Sequence, residues 1–238
     1  MYRNQIFGGA SGALLLATFA CTPGGVALAP VEFEGMDDPA TVVGMARGVT
    51  RGNPDAPITI AEFADYQCPG CAGFAGQVKP LLDQAYGDGD QVKFVFYDYP
   101  LVTIHPHAFL ASRAARCAAD QDRYWDYHDA LFRNQQAWSL SQSAPLGLFE
   151  DYAAEAGLEA SAFRACLRSD MHAELVTANM QLGNLLGVTG TPTVMVSQGD
   201  GTARRLGDTS FPGVRGVVDE MLANLAPQSA GGPEAGGQ

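Results

Sequence analysis

The chain is short of positive charge: 14 Lys and Arg stand against 26 Asp and Glu, a formal balance of −12 over 238 residues. Phosphate backbones and anionic membrane surfaces repel such a protein, so nucleic acid is excluded as a main partner. It has no long hydrophobic run. The uncharged stretch from Ile6 to Ala20 falls short of the ~20 apolar residues that a membrane-spanning helix needs. It has no internal repeat and no collagen-like or wholly disordered composition. Cysteine is scarce, at five residues, and only Cys68 and Cys71 are closely spaced. A second such pair, which a zinc ribbon needs, is missing, and the separation of Cys117 from Cys166 resembles neither a ribbon nor a knuckle. Haem attachment is excluded because Ala72 stands where a histidine must follow Cys71. No methionine- or histidine-rich ligand set accompanies the pair. Neither a metal nor a cofactor is therefore expected. What is present is apolar residues spread along the chain, enough to bury a full core.

Residues 1–21 read as an export segment. Arg3 gives a weakly positive start, and an apolar stretch containing Leu14, Leu15, Leu16 and Phe19 follows. Thr18 and Ala20 place small residues three and one before a cut ahead of Cys21. Leu14 to Cys21 resembles a bacterial lipobox, with Thr18 where leucine is usual. Three outcomes stay open: cleavage with acylation of Cys21, ordinary cleavage, or an uncleaved anchor. Each places the protein in the periplasm or at the extracytoplasmic face of the cell membrane. Without Cys21 four cysteines remain, and an even number in an exported protein suggests two disulfides.

Residues 22–52, with Gly24, Gly25, Pro30, Pro39 and an acidic cluster, read as a flexible tether. Residues 227–238 read as a disordered tail. Between them, 53–226 form one domain. Pro57 to Ala64 is a short apolar strand, and apolar residues at helical spacing predict a helix from Pro69 to Tyr86, kinked by Pro80. Val92 to Tyr99 is apolar on both faces, as a covered central strand is. Helical patterns fill about 106–186. Strands at Thr193–Ser197 and Ala203–Leu206 and an amphipathic helix ending near Leu225 complete an α/β order: βαβ, helical insertion, ββα.

The reactive element is Cys68-Pro69-Gly70-Cys71, placed where a strand ends and a helix begins. Unpaired N–H groups and the macrodipole at a helix N-terminus favour negative charge, so the Cys68 thiolate, the nucleophile, is stabilised there. Cys71 lies one turn inward, within reach of a disulfide. Pro69 at the first helical position needs no N–H partner. Glu62 shares a strand face with Ile58 and Ile60, and an acid so placed has a raised pKa. The alternative is a carboxylate at the edge of the sheet. His105 and His107 read as turn and cap residues, and His128 and His172 carry no signal. Tyr124, Trp125, Tyr127 and Phe132 read as core, or alternatively as part of a groove.

Several segments together resemble the DsbA-like branch of the thioredoxin superfamily. They are 52–57 and 62–71, then Ile104-His105-Pro106-His107-Ala108, Tyr124-Trp125-Asp126-Tyr127-His128, and 187–193. The resemblance covers Gly52 to Leu225. It implies a thioredoxin fold with a helical insertion and disulfide exchange with thiol-containing exported proteins. It also implies a membrane-bound, quinone-linked partner that reoxidises the pair. Thr191-Pro192 matches the family's cis-proline loop, which offers backbone groups to a substrate peptide. Glu62 matches a buried acid that moves protons to and from the inner cysteine. Some relatives carry a second disulfide in the insert, which Cys117 and Cys166 would form as a staple or, alternatively, as an electron relay. Gly70 departs from the strongly oxidising member, which has histidine there. The expected activity is that of an oxidase, a disulfide donor. A reductase or isomerase, and a non-catalytic metal or assembly chaperone using Cys68 and Cys71 as ligands, stand as alternatives.

Overall fold

The computed structural model describes residues 26–225 apart from Asp88, Asp200 and Thr202. The export segment with Cys21, the first residues of the tether and the tail at 227–238 lie outside the described residues.

Five strands form one sheet in the order β1-β3-β2-β4-β5, with β1 Val49–Arg51, β2 Ile58–Ala64, β3 Val92–Asp98, β4 Thr193–Gln198 and β5 Ala203–Arg205. The pairing of β2 with β3 is parallel, and the other pairings are antiparallel. Alternation along β2 sends Ile58, Ile60, Glu62 and Ala64 to one face and Phe63 to the other. The register sets Ile60 beside Phe94 and Val196, and Glu62 beside Phe96 and Val194. On this face Phe74 and Leu82 pack with Val214, Val218 and Met221 of α10 (Phe211–Leu225) in the main core. This is the βαβ, insertion, ββα order that the sequence implied.

The helix expected over 69–86 is not one helix. It runs as α2 (Pro69–Gly73), a π turn (Phe74–Val78) and α3 (Lys79–Tyr86). The Lys79 N–H donates to the Phe74 carbonyl, five residues back. Pro80 explains the change of register. It has no N–H to donate, and its ring excludes the carbonyl four residues before it. The turn that precedes the proline widens to accommodate it.

The tether reading of 22–52 is corrected for its described part, which is folded. Asp38 caps α1 (Pro39–Met45), its carboxylate accepting from the Ala40 and Thr41 N–H groups, and Pro39 fills the first position. Val42 and Ala46 pack on Ala178 of α9 (Ala173–Leu185). The Asn179 amide accepts from the Arg47 N–H at 2.9 Å and donates to the Arg47 carbonyl at 3.2 Å. β1 then covers the outer edge of β3, which would otherwise stand open to pairing with another chain.

The insertion consists of α4 (Ala108–Ala119), α5 (Tyr124–Arg133), α6 (Gln135–Ser139), α7 (Leu146–Glu155) and α8 (Ala160–Leu167), followed by α9. A disulfide joins Cys117 of α4 to Cys166 of α8, with Cα atoms 5.8 Å apart. Arg116 of α4 pairs with buried Asp98 at the end of β3, its Nε 2.7 Å from Oδ2, and Asn179 donates to the same oxygen at 3.0 Å. The insertion is thus tied to the sheet by charge and to itself by a covalent bond. The bond closes a separation of 49 residues, and removing that cross-link frees the unfolded chain. The Cys117→Ala, Cys166→Ala double variant is expected to lose roughly 2–4 kcal/mol, a fall in Tm of about 5–15 °C. Thermal unfolding of the two proteins side by side checks this, and an unchanged Tm contradicts the staple reading.

Candidate active site

The last strand residue before the reactive turn is Ala64, and the turn itself is built on Asp65. This residue is fully buried. Its Oδ1 accepts from the Gln67 N–H at 2.6 Å. Its Oδ2 accepts from the Leu101 N–H at 2.7 Å and lies 2.7 Å from His105 Nδ1. The Asp65 carbonyl accepts from the Cys68 N–H at 3.1 Å, and the Asp65 N–H points at Cys71 Sγ, 3.5 Å away. The insertion holds the turn from the other side. The Gln135 amide donates to the carbonyls of Tyr66 and Cys68 at 2.8 and 2.9 Å. Gln67 donates to the Ser139 carbonyl at 2.9 Å and accepts from the His107 N–H at the same distance.

Cys68 occupies the N-cap of α2 with extended backbone, and Pro69 follows at the first helical position. Cys68 Sγ lies 3.4 Å from the Thr191 carbonyl oxygen. Its thiol is pushed down to about 5, above all because the Cys71 thiol donates to it. Thr191 and the N–H groups of Cys71 and Gly70 add to this, against the cost of burial. Cys71 has no exposed surface. Burial raises its thiol far above the ordinary range, and the hydrogen bond it donates to Cys68 and the charges of Glu62 and Cys68 raise it further. Two thiols three residues apart are thereby driven in opposite directions.

The Thr191–Pro192 bond is cis, and the loop lies across the start of α2. A Cβ at Gly70 would stand 3.2 Å from Pro192 Cδ and 3.7 Å from Cys68 Sγ. The Thr193 hydroxyl closes the loop by donating to the Gly190 carbonyl at 2.8 Å, and the buried Thr191 hydroxyl is otherwise unpaired among the described residues.

Glu62 is fully buried, not at an edge. Neither carboxyl oxygen has a hydrogen-bond partner among the described residues. With Phe96 and Val194 as its cross-strand neighbours, burial raises its pKa to about 8, opposed by the Lys79 ammonium. Lys79 is itself nearly buried. Its Nζ is 2.8 Å from Asp83 Oδ2 and sits over the Trp125 ring at 4.9 Å.

Tyr124, Tyr127 and Phe132 are core residues, while Trp125 is half-buried. His128, silent in the sequence, is fully buried. Its Nδ1 lies 3.0 Å from the Tyr66 hydroxyl, which donates to the Tyr124 hydroxyl at the same distance. Burial holds the His128 ring neutral by pushing its pKa well down. Sequence reasoning missed the holding roles of Asp65, His105 and Gln135. Asp65 lies inside the quoted run before Cys68, but Gln135 carries no local signal, since only the fold brings α6 to the turn.

A family model described as Thioredoxin matches residues 45–204. Among curated relatives, a protein named Na(+)/H(+) antiporter NhaA 3 from Salinispora tropica is 30% identical over 201 residues, which cover 84% of this chain and 29% of that protein. The chain thus spans less than a third of the length of the first curated relatives it matches. Disulfide bond formation protein D of Bacillus subtilis is 30% identical over 153 residues, covering 61% of this chain and 66% of that one. Among solved structures, alpha-DsbA1 of Wolbachia pipientis superposes with a TM-score of 0.66 at 23% identity. The match covers 75% of this chain and 92% of that one, a likeness of fold. With a Cys-Pro-Gly-Cys turn at the head of α2, a cis proline across it and a family model matched over more than half of its length, the chain belongs to the thioredoxin family.

Proposed function

We propose that the chain donates disulfides to exported proteins, with Cys68 and Cys71 as the exchanging pair. The opposed behaviour of the two thiols carries this reading: Cys68 ionises near 5, while Cys71 stays protonated. A stabilised Cys68 thiolate favours the reduced enzyme, so its disulfide tends to be given away.

The exchange starts with the pair oxidised. A substrate thiolate attacks Cys68 Sγ, forming the mixed disulfide and breaking the bond to Cys71. The departing Cys71 sulfur must take a proton, because its site disfavours charge. Glu62, neutral below about pH 8, is the buried acid that supplies it. A second substrate thiolate then attacks the substrate sulfur of the mixed disulfide, and Cys68 leaves as its stable thiolate. Two substrate thiolates become one disulfide, and the enzyme keeps the Cys68 thiolate, the Cys71 thiol and an ionised Glu62, which regains its proton from solvent. The backbone of Thr191 and Pro192, beside Cys68 Sγ, is the surface on which an extended substrate segment lies.

Export is supported by the apolar segment ahead of Cys21 and by the Cys117–Cys166 bond, which suits an oxidising compartment. Whether Cys21 is cleaved and acylated is read by mass spectrometry of the mature protein. The name of the Bacillus relative, disulfide bond formation, agrees with this reading. The antiporter name does not carry over, because most of that protein's length is unmatched. Reoxidation by a membrane-bound, quinone-linked partner is the corresponding expectation from the family.

Three measurements test these assignments. Thiolate absorbance of the reduced protein should rise with a midpoint near pH 5 and track alkylation of Cys68 before Cys71. A midpoint above pH 8 removes the nucleophile. Cys71→Ser should accumulate mixed disulfides with exported proteins in cells, and Cys68→Ser should not, since the inner sulfur is buried. Equal trapping by both variants contradicts the order of attack. Glu62→Gln should slow mixed-disulfide formation by about 100-fold at pH 7. A substrate thiol already ionised at pH 6 isolates the enzyme's own titration. In wild type the rate should then fall as pH rises through about 8, where Glu62 loses the proton it must give, and the variant should lack that fall. A shared pH profile denies Glu62 its part.

A further inference from the structure

The ends of three helices meet at the second disulfide. Cys117 and Cys166 come from α4 and α8, and His172 caps the start of α9. Ligand atoms of these three residues all lie within 4.8 Å of one another. Asp120, which closes α4, lies beside two of them. Its Oδ2 is 2.8 Å from His172 Nε2 and 3.7 Å from Cys166 Sγ. A pocket of about 320 Å³, lined in part by Cys117, Asp120, Cys166 and Met171, opens onto the bond. None of these side chains takes part in the Cys68–Cys71 chemistry.

We propose that opening the Cys117–Cys166 bond converts this cluster into a site for a divalent cation of the zinc class, with Cys117, Cys166, His172 and Asp120 as ligands. Two thiolates, one imidazole and one carboxylate form a donor set that zinc takes in tetrahedral geometry. Once reduced, the sulfurs part to ordinary contact, close to the roughly 3.8 Å that a tetrahedral zinc sets between two thiolates. The cation replaces the hydrogen shared by His172 and Asp120. The separation of the two cysteines along the chain hides the site, because three helices assemble it.

The reductant is a protein dithiol of the thioredoxin class. Its two thiols become a disulfide while Cys117 and Cys166 become thiols, and these release two protons on binding the cation. The cation then spans the same helices that the covalent bond held. A domain that loses its staple in a reducing environment gains a second way of closing the insertion.

The test uses the full chain with Cys21, Cys68 and Cys71 all changed to Ser, so that one pair remains. Part is kept oxidised and part is reduced with a phosphine, which is then removed under anaerobic conditions. Cobalt(II) is titrated into both, and thiolate-to-cobalt charge-transfer absorption is followed. The reduced form should bind one cobalt per chain, displaced by one equivalent of zinc, and the disulfide form none. His172→Ala in this background should weaken binding by about tenfold or more. If reduction loosens the fold, zinc should restore the helical circular dichroism. Absence of stoichiometric binding, equal binding by the disulfide form, indifference to His172→Ala, or a loosened chain that zinc does not refold each overturns the site.

Discussion

One buried carboxyl group holds the reactive turn in place. Asp65 receives the Gln67 and Leu101 N–H groups and the His105 ring, and its own backbone reaches both cysteines. These partners come from the turn itself, from the segment after β3 and from the approach to the insertion. Without the carboxyl, each buried donor would be left unpaired at about 1–3 kcal/mol. The sulfur positions of Cys68 and Cys71 depend on this group. The low pKa of one thiol needs the other at hydrogen-bond distance and the helix N–H groups turned toward it.

The insertion is accordingly part of the site's frame rather than a cover laid over it. Gln135 satisfies two carbonyls of the turn, and α6 and the His107 backbone grip Gln67. Of the insertion's helices, α4, which His107 opens, is tied to the sheet by the Asp98–Arg116 pair and to α8 by the disulfide. Removing one member of a buried ion pair is costly because its partner keeps its charge without compensation. Stability of the insertion and geometry of the cysteines are therefore coupled through a short run of contacts.

What was legible in the sequence was whatever has a local signature. Cys68 and Cys71 declare themselves by spacing and by lying between strand and helix patterns. Glu62 stands out by alternation with Ile58 and Ile60, and Thr191-Pro192 by its resemblance to a family's cis-proline loop. What escaped depends on partners far along the chain. The three residues of β1 form a strand only because β3 offers an edge, and α1 is stable only against α9. Asp38 followed by Pro39 was a readable helix start, but glycines, prolines and acids around it pointed to a loop. The π turn escaped for a different reason. Periodicity locates a helix that contains proline, but not the turn that yields to it.

Position 70 illustrates how crowded such a site is. A methyl group there would touch both the proline loop and the nucleophilic sulfur. Any larger side chain must therefore press on two surfaces at once, the Cys68 sulfur and the cis-proline loop. A substitution at this single residue changes the surroundings of the Cys68 sulfur and the packing of the proline loop together, where glycine leaves both unhindered.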